Sequence, residues 1–413
     1  MKTRIRRALC ACALFLHGCT LTSSDAGPEP ATPVVANQEA STRPAITALQ
    51  QGRFEEAESL AQRGIQADDT NPYPHLVQAI TRYRRTMQQL ALDGRSLEGA
   101  LDQGTLSQRA LHAALLGAEG ELAKVENDLA AASRRSGLAL DLCLACWEID
   151  WNGNGRIDDR DHLLLQIEQD AQGEPIPEDD PRRKPTFRFD DGDVAWARAF
   201  VSFERAALDV ALAYDFSDIA RFAAPRAERP SRLVLRLIER DRIAQARRRL
   251  LEGLAHSDAA RRAYLAETDD EREWVPNPRQ QSHPLPLPVD QALYDTWGGV
   301  LGDLRRLVEG EEGLGFAEML AVADERMHLP VRGYLDLGRM LSHPRDIVLD
   351  LGDLSHLERA NDLEGAMSAV LGESYVHDIK PSPLPRRLAR MKGEIDRHEE
   401  GLARKLRYLF WLN

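Results

Sequence analysis

The chain has 413 residues, 43% of them apolar, with 53 Lys and Arg against 66 Asp and Glu and a net charge of −13. That much apolar material supports a folded core of one large or two moderate domains. The acidic balance excludes nucleic-acid binding by general electrostatics and makes attraction to an anionic membrane surface unfavourable.

Met1 to Gly18 reads as a targeting segment. Lys2, Arg4, Arg6 and Arg7 form a basic start, and Ala8 to Leu16 a short apolar run. The run is too short to span a bilayer as a mature helix. Leu16-His-Gly-Cys19 follows and resembles the bacterial lipobox, with His17 an unusual occupant of its second place. The resemblance implies signal cleavage that leaves Cys19 as a lipid-modified first residue; ordinary secretory cleavage nearby is the alternative. With Thr20 rather than Asp next, it also implies an outer-membrane lipoprotein, its body in the periplasm or at the cell surface. Loss of residues 1–18 removes four basic and no acidic residues, taking the net charge to near −17.

Residues 19–44, rich in Ser, Thr, Pro, Ala and acidic side chains without apolar periodicity, read as a disordered tether. Residues 45–172 are expected to form a helical domain. In it, Gly52-Arg-Phe54-Glu-Glu-Ala57, then Gly64, Ile65 and Asn71-Pro72, resembles one helical hairpin of a tetratricopeptide repeat. Small residues at Gly52, Ala57 and Gly64 let two helices approach while Phe54 fills the groove. No second copy recurs at a 34-residue period, so an isolated helical hairpin is the alternative. Thr105 to Ser136 lacks proline and is dense in Ala and Leu, which predicts one long helix.

Leu142, Cys146 and Ile149, spaced by four and three, predict a helix leading into Asp150-Trp-Asn-Gly-Asn-Gly-Arg-Ile-Asp-Asp-Arg-Asp161. In that stretch Asp150, Asn152 and Asn154 alternate, Gly155 supplies a sharp turn, and Arg156 offers its backbone carbonyl. Asp158 and Asp161 add carboxylates, and Ile157 is expected to anchor the loop in apolar surroundings. The pattern closely resembles the calcium loop of an EF-hand, and its final Asp is more like the dockerin variant. It implies a Ca²⁺ site of oxygen ligands at Asp150, Asn152, Asn154, Arg156, Asp158 and Asp161, with an exit helix over His162 to Ile167. An Asn/Gly-rich turn between two helices is the alternative. Asp161 is one methylene shorter than the usual Glu. The nearest candidate for a second loop, Asp190-Asp-Gly-Asp193, has Ala195 where a glycine is expected.

Cys143 and Cys146 are the cysteines left once Cys10 and Cys12 depart with the signal and Cys19 carries lipid. They lack the context of a redox motif and have no second pair for a zinc site. They read as structural cysteines, buried or locally bridged.

Residues 173–413 are expected to form a second helical domain, or to continue the first. Gly173 to Pro185 reads as a loop or junction. Asp193 is predicted to open a helix through Tyr214, with Trp196, Phe200, Phe203, Ala207, Val210 and Tyr214 as its core stripe. Arg198, Ser202, Arg205 and Asp209 mark the expected wet face, and Glu204 is placed to pair with an Arg of another helix. Ser231 to Ser257 reads as a long helix whose arginines, interleaved with Glu239, Asp241 and Glu252, form a solvated face. Thr268 to Val289 is read as a surface connection, and Asp290 as the cap of a helix bearing Leu293, Trp297, Val300, Leu301 and Leu304. Val331 to Leu341 is ambiguous between strand and helix, and helices are expected around Asp350 to Leu371. The last helix opens at Pro385 and runs to an apolar end at Tyr408 to Leu412.

The expected fold is therefore all-α: a body of helical hairpins with one EF-hand-like helix-loop-helix. There is no Gly-x-Ser-x-Gly elbow, phosphate loop or His-Glu-x-x-His pair. The expected role is a calcium-binding, lipid-anchored scaffold or adapter that contacts another envelope protein. The alternative is a periplasmic enzyme acting on the cell wall or a polysaccharide, through a site that carries no sequence motif.

Overall fold

A computed structural model describes residues 33–103, 105–147, 150, 154–157, 161, 166–168, 170, 174–219, 232–281, 290–323, 333–350, 371–372 and 374–398. The fold is mainly α-helical, with short strands between the helices. Four consecutive helices open it: α1 (Pro33–Gln50), α2 (Phe54–Ala67), α3 (Pro72–Gln103) and α4 (Gln108–Ala132). Next come β1 (Ala139–Leu142), β2 (Phe187–Asp190), α5 (Asp191–Leu212), β3 (Tyr214–Asp215), β4 (Arg232–Leu237) and α6 (Arg240–Ala266). The remainder is α7 (Gln291–Glu309), α8 (Phe316–Ala323), β5 (Tyr334–Leu335), α9 (Leu337–Ser342), β6 (Ile347–Asp350), β7 (Val376–His377) and α10 (Leu384–His398).

The stretch read as a tether already contains α1, which starts at Pro33 and runs through Pro44. Its inward row Gln38, Thr42, Ala45, Ile46 and Leu49 is buried, and Asn71 ties it down by donating to the Gln38 carbonyl and the Thr42 hydroxyl. Polar composition concealed this helix because two of its core contacts are hydrogen bonds. The α2–α3 approach follows the small residues: Ala57 is fully buried, and a Cβ on Gly64 would lie 3.1 Å from Pro74. Gly52 turns the chain between α1 and α2 at φ +71°. Phe54 packs edge-on against Trp147, ring centres 5.2 Å apart, and the Arg84 guanidinium lies over its ring.

Three small antiparallel sheets are present among the described residues. β1 pairs with β2, joining the stretches on either side of residue 172. β4 lies between β3 and β6, and β5 pairs with β7. Two predicted helices thereby change type. Leu142 belongs to a strand and Cys146 to a one-turn 3₁₀ segment, so among the described residues no helix of the expected kind leads into the 150–161 loop. Residues 232–237 alternate Leu with Val or Arg in a two-residue period, and helix begins only at Arg240. Val331 to Leu341 contains both alternatives, a strand followed by a short helix. Residues 351–370 and the apolar end at 408–412 lie outside the described residues, as do 1–32.

Helix α5 belongs to both main cores. Val194 and Val201 join the core of α1–α4 and β1, whereas Trp196 and Phe203 pack on the core around Trp297, Tyr264 and Tyr294. Its predicted stripe is displaced: Val210 is 39% exposed, while Ser202 and Asp209, expected to be wet, are wholly buried. The reason is charge pairing across helices. Asp209 accepts from Arg242 (3.0 Å) and Arg249 of α6. Arg205 reaches Glu119 (2.7 Å) and Glu126 of α4, and Arg249 also reaches Glu119 (2.9 Å). The arginines of α6 thus serve an interior contact and not only a solvated face.

Among the described residues Glu204 pairs with no arginine. Its Oε1 accepts from the Tyr83 hydroxyl of α3 at 2.9 Å, and its buried Oε2 has no partner. Burial raises its carboxyl to about 8, with the Tyr83 hydrogen bond opposing that shift.

Two outcomes follow from these contacts. Asp209→Ala removes the buried carboxylate that Arg242 and Arg249 share and should destabilise the fold by about 3–5 kcal/mol in chemical denaturation. Glu204 keeps a proton in the folded protein that the unfolded chain releases above its ordinary value of 4.5. Its contribution is thus fully present below pH 4.5 and is lost as pH rises towards about 8. The stability difference between wild type and Glu204→Gln should therefore move in favour of the Gln protein across that interval. A constant difference from pH 5 to pH 9 would refute the assignment.

Candidate metal centre

Two groups of acidic residues bear on cation binding. The first is the 150–161 loop. Its Asp150 carboxylate accepts from the backbone N–H groups of Asn154 (3.1 Å) and Gly155 (2.8 Å), while Asn154 Oδ1 accepts from the Arg156 N–H (2.8 Å). The chain turns around Asp150 as a result, and Gly155 takes φ +80° to allow it. That conformation, rather than lack of space, calls for glycine, since nothing lies within 4 Å of where a Cβ would be.

Asp161 is buried, at 3% exposure. Asn152 and Asp158 lie outside the described residues, as do Cys19 and most of the expected exit helix, residues 162–165. Ile167, expected on that helix, lies in irregular chain, where its N–H donates to the Arg183 carbonyl. Ile157 was expected to anchor the loop and is instead 40% exposed. The turn before the loop is held in place: Trp147 is buried at 6% exposure, and Cys143 and Cys146 are joined by a disulfide, Cα atoms 5.3 Å apart. A single 3₁₀ turn brings the two residues to bridging distance.

The second group is assembled from distant stretches. Asp190 ends β2 and caps α5, accepting from the N–H groups of Gly192 (2.7 Å) and Asp193 (3.3 Å), while the Asp193 carboxylate accepts from the Asp190 N–H. The reading of Asp190 to Asp193 as a second loop is replaced by this capping box. Tyr264 of α6 donates its hydroxyl to Asp193 at 2.8 Å. Glu267 caps the carboxyl end of α6. Glu273 comes from the connection expected at the surface, which in fact buries Glu273, Trp274, Val275, Asn277 and Gln280.

The local chain explains that burial. Asn277 donates to the Tyr264 carbonyl at 2.7 Å, and Gln280 to the Asp269 carbonyl at 2.9 Å. Arg272 turns the chain in the left-handed region at φ 60°, and its carbonyl accepts from the Arg188 N–H of β2 at 3.0 Å.

One oxygen each of Asp190, Glu267 and Glu273 lies within 4.8 Å of the others; Glu273 is buried and the other two half-buried. Burial and mutual repulsion raise all of these carboxyls. Glu273 is pushed up to about 8, first by burial. Glu267 reaches about 11, by burial and then by Asp190 and Asp193. Asp190 is raised by burial, and Asp193 well above its ordinary range by burial and then by Asp190. Like-charged groups so placed either retain protons or share a cation. Sequence reading reached Asp190 and Asp193 through their Asp-Asp-Gly-Asp run but had no signal for Glu267 or Glu273.

Compared with protein-family models, with curated proteins and with solved structures, the chain matches none of them.

Proposed function

We propose that the protein is a calcium-binding, lipid-anchored component of the cell envelope that acts as a non-catalytic scaffold or adapter for another envelope protein. The observation that carries the reading is the Asp150 carboxylate, which draws in the N–H groups of Asn154 and Gly155. It thereby gathers Asp150, Asn154 and Arg156 into one turn. In this reading Asn152 and Asp161 complete the ligand set, and Asp158 joins directly or through water, giving the all-oxygen environment that calcium takes. The helical body and the absence of a nucleophile motif support a scaffold. Leu16 to Cys19 supports the lipid anchor. Among the described residues no helix is long and apolar enough to cross a membrane.

A short final Asp places the affinity in the extracellular class, with Kd on the order of 10⁻⁴ M. Calcium at about ten times that Kd should then stabilise the protein by roughly 1.4 kcal/mol. Asp150→Ala should abolish this part of the stabilisation and of the calorimetric heat. If millimolar calcium gives the wild type no component that Asp150→Ala removes, the loop is only an Asn/Gly turn.

The anchor has its own test. Wild-type protein should take up a metabolically supplied fatty acid, and Cys19→Ser should lose the label and leave the membrane fraction. An unlabelled wild type removes the lipoprotein assignment.

A further inference from the structure

We propose that Asp190, Glu267 and Glu273 form a second cation site, separate from the 150–161 loop, that takes a hard divalent ion of the calcium class. Each carboxylate supplies one oxygen. These oxygens lie within 4.8 Å of one another, inside the limit of roughly 5 Å that bounds the separation of any two oxygens held 2.3–2.6 Å from one calcium ion.

The carboxylates alone do not make this site; their surroundings call for an occupant. Glu267 Oε1 is buried and receives no hydrogen bond. Glu267 also stands at the carboxyl end of α6, where the helix dipole adds negative potential.

A further sign comes from a different helix. Tyr294 of α7 is wholly buried, its hydroxyl has no partner, and Glu267, Asp193 and Asp190 all act on it electrostatically. Buried polar groups are nearly always satisfied, so a buried hydroxyl within electrostatic reach of the cluster calls for a partner from outside the chain, which water bound to an ion would supply.

The counter-charge from the chain is partial: Arg188 acts on Glu273 but forms its ion pairs elsewhere. Arg188 pairs with Asp141 and Glu271, and among the described residues no Lys, Arg or His pairs with Asp190, Glu267 or Glu273. Asp193 is committed to Tyr264 and the Asp190 N–H and lies outside the trio whose oxygens come within 4.8 Å of one another. An ion there would join the start of α5, the end of α6 and the 267–281 connection.

The test is calcium stoichiometry of the full chain by native mass spectrometry and calorimetry. Wild type should bind two ions and Asp150→Ala one. One ion in both proteins supports the cluster and removes the loop; one in wild type and none in Asp150→Ala overturns the cluster. In the Asp150→Ala background, Glu267→Gln and Glu273→Gln should each weaken calcium binding at least tenfold with the circular dichroism unchanged. Unaltered affinity in both overturns the proposal. If the Gln proteins fail to fold, terbium in the Asp150→Ala protein decides. Emission sensitised by Tyr264 and Tyr294 and quenched by added calcium supports the site, and its absence overturns it.

Discussion

The contact on which the rest of the body depends is Asp209 of α5 held between Arg242 and Arg249 of α6. Asp209 has no exposure to water, so its charge is stable only because two guanidinium groups arrive with it. The same arginine system continues through Glu119 and Arg205 to α4. One polar chain therefore fixes three helices relative to each other. An apolar face tolerates rotation or sliding of a helix, because dispersion contacts are non-directional. A buried ion pair loses several kcal/mol when misaligned, so it selects one arrangement.

The interior thus carries charge in two different ways. Around Asp209 the negative groups find their cations within the chain. Around Asp190, Glu267 and Glu273 no described Lys, Arg or His forms an ion pair with them, although Arg188 acts on Glu273, and in the proposed site a bound ion makes up the balance. Helix ends sharpen the contrast. Asp190 sits at the amino end of α5, where backbone N–H groups favour a carboxylate. Glu267 sits at the carboxyl end of α6, where they are absent. Two further carboxylates in reach leave that corner deficient in positive charge.

The loop at 150–161 has a different foundation from the helix expected to precede it. A strand, a 3₁₀ turn and the Cys143–Cys146 disulfide lead to Trp147, which packs on Phe54 of α2. The last described residues before the loop therefore form a braced turn on the first core. In the proposed function, this links cation binding at Asp150 to the rigidity of the α1–α4 body, not to the angle between two flanking helices.

The sequence by itself determined the elements whose hydrogen bonds are local. Asp290 caps α7 as its position predicted, α4 lies within Thr105 to Ser136, and Pro385 stands in the first turn of α10. Such helices form from their own turns, so periodicity and caps within one stretch suffice. Gly155 was legible for the same reason, since its turn closes on Asp150 only five residues away. Tertiary structure alone decided the strands at 139–142 and 232–237, because their partners at 187–190 and 347–350 lie far along the chain. It also decided which face of α5 is buried: polar side chains look wet until the arginines of α6 and the acids of α4 are brought to them. Glu267 and Glu273 acquire their chemistry in the same way. A carboxylate in sequence is a soluble charge, and only packing that removes water and adds another carboxylate turns it into a site.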